Sequence, residues 1–274
     1  MAYLEAGAGP AASLAIVRDV LGIAQANRHT ADRIAVALLG PDPRFTRTTD
    51  GRWLLVSTPV ESPTLAACRW AVVDVETTGV RARRGDRIIE IAVVGLPRGM
   101  APGFPEPQVW FHSLVNPGIP VPPFVGSLTG ITPAMLLDAP PFDAVVDGLL
   151  DVLHDTVFVA HNARFDWAFV SAEVERARGL LLQGPRVCTM RLARRLLPDL
   201  PRRNLDTVSY HFGITIEGRH RAVGDAVAAA KCLRKLVGLA QEQGAVTLAD
   251  LLAIGSRLSA TGKTGADRPA ANSP

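Results

Sequence analysis

Apolar positions in the middle of the chain follow first a strand-like and then a helix-like pattern. Apolar runs at 70–75, 87–94 and 109–115 predict three strands, and a Pro-rich loop at 97–107 separates the last two. Since no crossover helix fits between these strands, we expect them to pair antiparallel. The rest of the pattern predicts a short strand at 157–160 and helices at Phe142–Leu153, Ala163–Arg178, Met190–Leu197, Leu205–Phe212 and Val223–Leu239. This order predicts an α/β fold, with a twisted sheet covered by helices.

The regions on either side of this pattern are organised differently. Residues 1–57 show two helix-like stretches and then a hairpin that turns at Asp50-Gly51, which predicts a small N-terminal module that resembles a winged helix. Residues 58–67 contain two prolines and are predicted to form a linker. Residues 68–242 form the predicted main domain, and residues 243–274 are predicted to be a weakly structured to disordered tail.

Composition narrows the class of protein. Of the 274 residues, 48% are hydrophobic and 20% are charged, which supports a buried core and excludes a largely disordered chain. The N-terminus lacks a signal-peptide pattern, and no apolar run approaches the roughly 18 residues of a membrane span. Three scattered cysteines exclude a disulfide framework. We therefore expect a soluble, cytoplasmic protein that does not associate with a membrane.

Two acids lie at the end of the first predicted strand. Asp74 and Glu76 alternate with Val75, so their side chains share one face of the strand. Carboxylates placed in this way repel each other unless a proton or a cation neutralises them, and such oxygen ligands suit Mg²⁺ or Mn²⁺. From these residues alone, metal binding and simple exposure to water are both open.

Two further acids lie near the beginnings of predicted helices. Asp166 follows Asn162 in the first turn of one helix, and Asp225 follows His220 at the start of another. Asn162 and Asp166 suit helix capping as well as metal or substrate binding. His220 suits either a solvated position beside a cap or a general base beside a metal ligand. The other histidines are expected to be structural or exposed.

Together, the three motifs are far more specific than any one of them. Their order, Asp-x-Glu, Asn-x-x-x-Asp and His-x-x-x-x-Asp, resembles the DEDDh family of 3′–5′ exonucleases, which includes the proofreading epsilon subunit of bacterial replicative DNA polymerase. The resemblance extends over residues 68–240 and includes the segments 128–132 and 188–194. It implies an RNase H-like exonuclease fold, and the histidine at position 220 implies the His subclass.

The resemblance also implies a role for each motif residue. His220 would be the general base, and two divalent cations, Mg²⁺ or Mn²⁺, would be bound by Asp74, Glu76, Asp166 and Asp225. Two such cations can activate the attacking water and stabilise the leaving 3′-oxygen, which releases nucleoside 5′-monophosphates. Phe165 and Trp167 are expected in the core, with base contact as a further role for one of them. The residues expected to contact substrate are Thr77, Leu128, Thr129, Asn162 and Phe165.

The implied function is that of a 3′–5′ exonuclease acting on DNA 3′ ends in proofreading or repair, with a DNA polymerase or repair protein as a partner. An exoribonuclease that trims RNA ends is one alternative, because no feature of the sequence clearly reads a 2′-hydroxyl. The other is a winged-helix DNA-binding or interaction protein whose nuclease domain is a scaffold. The epsilon subunit lacks an N-terminal extension of this kind, so residues 1–57 are open to either DNA binding or protein docking.

Overall fold

The chain divides into two compact units, residues 1–62 and residues 63–274. The computed structural model describes residues 10–42, 44–55, 62–96 and 106–256. The boundary between the units lies inside the predicted linker. Most of the predicted loop at 97–107 lies outside the described residues, as does the chain from residue 257 onwards.

The N-terminal unit contains two helices followed by a hairpin, as the pattern predicts. Its elements are α1 (Ser13–Asp19), α2 (Arg28–Leu39), β1 (Phe45–Arg47) and β2 (Trp53–Leu55). The two strands pair antiparallel, and Ile16, Ala35 and Trp53 form a small buried core. The structure does not show that this unit is a winged helix, so that assignment stays a prediction.

The larger unit is built on a mixed sheet of five strands. They are β3 (Trp70–Thr77), β4 (Ile88–Leu96), β5 (Gln108–Leu114), β6 (Val157–Ala160) and β7 (Arg186–Cys188). Their order in the sheet is β5-β4-β3-β6-β7. β3, β4 and β5 pair antiparallel, which confirms the prediction, whereas β6 and β7 run parallel to β3.

Helices cover both faces of this sheet. They are α3 (Pro123–Thr129), α4 (Pro133–Leu137), α5 (Phe142–Leu153), α6 (Ala163–Arg178), α7 (Thr189–Leu196), α8 (Leu205–His211), α9 (Ala222–Glu242) and α10 (Leu248–Ser256). Because side chains alternate along β3, Val72 packs with α9 on one face, and Val73 packs with α5 and α6 on the other. Asp74 and Glu76 share the face of Val72, so they lie on the α9 side of the sheet.

The structure corrects the predicted ends of the main domain. Leu248 and Leu251 of α10 are buried, and α10 packs against α7 and β7. The prediction of a weakly structured tail is therefore wrong for residues 243–256. Leu65 is also buried in this unit, and Thr64 pairs with Thr247, so residues 63–67 belong to the fold and not to a linker. The elements α3, α4 and β7 were not predicted from the sequence.

Among the described residues, no helix has the length and apolar character that crossing a membrane requires.

We expect residues 63–274 to fold on their own after removal of residues 1–62. The cut falls at the unit boundary and leaves the pairing of Thr64 with Thr247 intact. Circular dichroism and thermal unfolding of the truncated chain check this expectation. Aggregation or loss of cooperative unfolding would show that residues 63–274 need the N-terminal unit in order to fold.

Candidate active site

Three chain segments bring the predicted acids to one edge of the sheet. Asp74 and Glu76 lie near the end of β3, and Asp166 lies in the first turn of α6, just after the parallel strand β6. Asp225 lies in the first turn of α9, which packs against β3. Carboxyl ends of parallel neighbours meet at the same edge, so this topology places the β3 acids next to the start of α6.

The acids form one cluster of carboxylates. Asp74, Glu76 and Asp225 each offer an oxygen, and these three oxygens lie within 4.8 Å of one another. Asp166 lies outside that set, but its charge raises the pKa of Asp74, and its own carboxylate accepts a hydrogen bond from the backbone of Val75. The structure therefore brings all four predicted acids together, with Asp166 adjoining the tighter group of three.

Burial and mutual repulsion make the carboxylates of this cluster hard to ionise. Burial, together with the charges of Asp225 and Glu90, raises the pKa of Glu76 to about 7. Burial likewise raises the pKa of Asp166 to about 7. The pKa of Asp74 also lies well above its usual value, through burial and the charges of the other three acids. Such a cluster needs positive charge to be stable in its ionised form.

The donor set fits divalent cations. Asp225 is buried, and its Oδ1 has no hydrogen-bond partner among the described residues. A buried carboxylate oxygen without a partner costs free energy, and a cation is the partner that such an oxygen suits. Three converging carboxylates with a fourth beside them provide the hard oxygen ligands that Mg²⁺ and Mn²⁺ prefer.

Arg219 provides the nearest positive charge of the chain itself. Its guanidinium donates to Oδ2 of Asp225 and also to both oxygens of Asp206, at 2.8 and 3.1 Å. The same group lies 3.3 Å from Nδ1 of His220. Arg219 therefore binds one acid of the cluster and lies beside the histidine of the site.

His220 lies in the turn that leads into α9, with a backbone conformation rare for a side-chain-bearing residue. Its φ angle is +62°, in the left-handed region, and its N–H donates to Oδ2 of Asp225 at 3.3 Å. Gly224 makes this turn possible, because a Cβ at that position would overlap the backbone oxygen of Glu217. Strained turns of this kind are often found at functional sites, and this one brings the backbone of His220 to Asp225.

A buried network on the next strand fixes the start of α9. Glu90 of β4 lies directly opposite Glu76 in the sheet. Its carboxylate binds the guanidinium of Arg221 at 2.7 to 3.2 Å and accepts the N–H of Ala222, the first residue of α9, at 3.0 Å. His112 contacts the same carboxylate at 2.9 Å. Glu90 thus ties His220 and Asp225 to the sheet.

We expect Glu90→Gln to destabilise the protein and to slow turnover without removing the acid cluster. The change weakens a buried charge-assisted network, which costs about 1–3 kcal/mol of unfolding free energy. Urea denaturation measures this cost, and Glu242→Gln on the exposed end of α9 is the matched control. If the two variants were equally stable, Glu90 would not be the residue that anchors the start of α9.

The predicted substrate residues at the ends of β3 and α3 differ in the exposure and the hydrogen bonding of their side chains. The hydroxyl of Thr77 donates to the carbonyl of Gly79 at 2.6 Å. Leu128 is 53% exposed, which suits a surface contact. Thr129 is buried, and its hydroxyl bonds Val125 and the N–H of Ile131, so it holds the end of α3. Contact of these residues with substrate stays a prediction.

Asn162 and Phe165 lie at the beginning of α6. Asn162 occupies the N-cap position, but its side chain makes no capping hydrogen bond, so the alternative of a simple cap does not describe it. Phe165 is half-buried against Phe169, at 4.9 Å between ring centroids. The preceding His161 bonds Thr189 and the carbonyl of Arg203, at 2.9 and 2.8 Å, which gives it the structural role expected from the sequence.

Three residues that shape this site were not predicted from the sequence: Glu90, Arg219 and Arg221. Glu90 carries a usable signal, because a single acid within the apolar run 88–94 requires a buried partner. The two arginines flank His220, but nothing in their spacing identifies the acids they bind.

Comparison with known proteins identifies the family. Residues 71–233 match the model of an exonuclease family, named RNase T. The chain belongs to this exonuclease family. The resemblance to DEDDh exonucleases is therefore confirmed, and the mixed sheet with flanking helices is the expected RNase H-like exonuclease fold.

Individual relatives agree with this assignment. Subunit epsilon of DNA polymerase III from Aquifex aeolicus is 31% identical over 61% of this chain and 80% of its own length. A proposed bifunctional exonuclease/endonuclease of Mycobacterium tuberculosis is 38% identical over 71% of this chain, which spans only 30% of that relative. The solved structure of exonuclease X with 5′-overhanging duplex DNA covers 69% of this chain and 99% of its own, at 25% identity and a TM-score of 0.52.

The metal-free protein should lose stability as the pH rises from 5 to 8. The usual carboxyl pKa values are 3.8 for Asp and 4.5 for Glu, whereas those of Asp166 and Glu76 are raised to about 7. The folded state therefore holds protons that the unfolded chain has released, and unfolding free energy falls as they leave.

Urea denaturation in EDTA at several pH values checks this expectation. In Asp74→Asn the unfolding free energy should fall less steeply with pH, because one repelling charge is gone. Added Mg²⁺ should restore the unfolding free energy of the wild-type protein at pH 8. The comparison with Asp74→Asn also separates the cluster from His161, whose pKa is lowered by burial and whose effect has the opposite sign. The expectation would be contradicted if the unfolding free energy of the wild type fell no more steeply with pH than that of Asp74→Asn.

Proposed function

We propose that this protein is a metal-dependent 3′–5′ exonuclease that releases nucleoside 5′-monophosphates from DNA 3′ ends. The observation that carries the proposal is the meeting of Asp74, Glu76 and Asp225 within 4.8 Å, with Asp166 beside them and His220 on the adjoining turn. A scaffold or a binding module has no use for a buried, mutually repelling group of acids, whereas phosphodiester hydrolysis does.

Each residue has a distinct part in the proposed reaction. Asp74, Glu76, Asp166 and Asp225 hold two divalent cations, Mg²⁺ or Mn²⁺. When bound, such a pair supplies charge stabilisation for both the attacking and the leaving oxygen of an in-line displacement. His220 accepts the proton of the attacking water as the general base. The mechanism needs no covalent intermediate, so no serine or cysteine nucleophile takes part.

The position of Arg219 is compatible with this assignment. Its guanidinium holds Asp225 through Nη1, but it also makes two hydrogen bonds to Asp206. Arg219 can therefore release Asp225 to a cation and still keep an acidic partner. Its withdrawal would also free Nδ1 of His220, which it approaches to 3.3 Å.

The substrate and partner proposals rest on the relatives. Similarity to subunit epsilon of DNA polymerase III supports action on DNA 3′ ends in proofreading or repair, with a polymerase or repair protein as the partner. Exonuclease X, which was solved with duplex DNA, supports the same class of substrate. The N-terminal unit is the part of the chain that we propose for docking or for additional DNA contact.

Digestion of labelled substrates tests the proposal. Single-stranded DNA, duplex DNA with a mismatched 3′ end and single-stranded RNA, each labelled at the 5′ end, are incubated with Mg²⁺, Mn²⁺ or EDTA. We expect stepwise shortening from the 3′ end of DNA with either cation and none in EDTA. Full activity in EDTA would overturn the mechanism, shortening from the 5′ end would overturn the polarity, and a preference for RNA would establish the exoribonuclease alternative.

A further inference from the structure

A large polar cleft lies between α6 and α7, next to the acid cluster and separate from it. Its volume is about 840 Å³, and it is lined by α6, by the β7–α7 junction and by the turn that follows β3. Arg164 and Trp167, which flank Asp166 in α6, are both among its lining residues. The cleft therefore opens beside the proposed reaction centre.

The charge of this cleft is strongly positive. One acid, Glu175, faces five arginines along its lining: Arg83, Arg164, Arg186, Arg191 and Arg194. Within the described ranges, none of these five forms an ion pair with an acid. Arginines on other faces do find such partners, as Arg87 does with Glu173 and Arg178 with Asp147.

Two further features of the lining suit a ligand that is both anionic and planar. The guanidinium of Arg186 lies over the ring of Trp167, 4.7 Å from its centroid, which presents a flat cationic surface to the cleft. The hydroxyl of Ser171 is buried in the lining and has no hydrogen-bond partner among the described residues. An unpaired buried hydroxyl is a donor that a bound phosphate oxygen can use.

We propose that this cleft binds the phosphodiester backbone of the single-stranded nucleic acid whose 3′ end occupies the acid cluster. Five arginines that form no ion pair within the described part of the chain, with one acid among them, make a concave surface that attracts a polyanion. Contacts between arginines and phosphates do not depend on base sequence. The stacked Arg186 offers a platform for one base, as in other proteins that hold single strands without sequence preference. This inference rests on the proposed exonuclease function. It assigns the cleft to the nucleotides that lie on the 5′ side of the 3′ end being cleaved.

The test removes two cleft arginines from the same face of α7. Arg191→Ala/Arg194→Ala is compared with Arg195→Ala/Lys235→Ala, which removes equal charge outside the cleft lining. Thermal unfolding confirms that both double variants are folded. Binding of a labelled single-stranded 20-mer is measured by fluorescence anisotropy at several salt concentrations, with every protein carrying Asp74→Asn to prevent cleavage. Turnover of a dinucleotide and of the 20-mer is measured without Asp74→Asn.

The proposal predicts a change confined to the long strand. The cleft variant should bind the 20-mer about tenfold more weakly, with the salt slope reduced by about 1.4, since each single-strand phosphate contact contributes about 0.7. Turnover of the dinucleotide should match that of the wild type.

Two results would overturn the proposal. One is equal binding and salt slope in the cleft and control variants, and the other is competition by poly-glutamate as effective as that by DNA, which would indicate an acidic protein partner instead. Failure of the wild type to hydrolyse either substrate would refute the proposed function itself. The binding measurements would still show whether the cleft binds single-stranded DNA.

Discussion

Asp74→Asn should abolish hydrolysis while the fold remains intact. Asp74 lies at the centre of the cluster, where the charges of Asp166, Asp225 and Glu76 all act on it. Asparagine keeps the shape of the side chain but removes the negative charge that would hold a cation. Loss of one charge-stabilising group commonly lowers kcat by about 10²–10³-fold, and loss of cation binding should lower it by more.

Kinetics and calorimetry together test this expectation. Asp151→Asn, at an exposed acid on α5, is the matched control and should keep wild-type turnover. Titration calorimetry should show weakened Mg²⁺ or Mn²⁺ binding by Asp74→Asn, and thermal unfolding of the metal-free variant at pH 8 should be no lower than that of the wild type. Near-normal turnover by Asp74→Asn would remove this residue from the site.

His220→Asn should lower kcat by roughly 10²–10⁴-fold, the usual contribution of a positioned general base. Asparagine is preferable to alanine here, because His220 has a φ angle of +62° and asparagine tolerates the left-handed region better than most residues. The turn, the N–H bond to Asp225 and the acid cluster should therefore survive the change.

The controls separate loss of a base from loss of structure. His154→Asn changes an exposed histidine away from the cluster and should have no effect on turnover. Calorimetry of His220→Asn should show cation binding like that of the wild type, since His220 is not proposed as a ligand. Loss of cation binding in this variant, or retention of full turnover, would contradict the assignment.

Several structural elements could be predicted from the sequence because they depend on local pattern. The helices Phe142–Leu153 and Ala163–Arg178 have the predicted bounds, since the spacing of apolar residues reports which side of a helix is buried. The antiparallel pairing of β3, β4 and β5 followed from the short connections between them. Missed elements such as α3 and α10 are short, and their buried apolar residues, such as Val125 and Leu251, become informative only once the surface that buries them is known.

The candidate site also has features that the sequence predicts and features that only the tertiary structure shows. The sequence by itself determined that Asp74 and Glu76 share one strand face, and the order of its motifs resembled the exonuclease family to which the chain belongs. Only the tertiary structure decided that Asp225 joins those two acids within 4.8 Å, and that Glu90 anchors α9 through Arg221. The physical reason is that periodicity is a local property, whereas ion pairs and pKa shifts depend on distances between segments far apart in the chain.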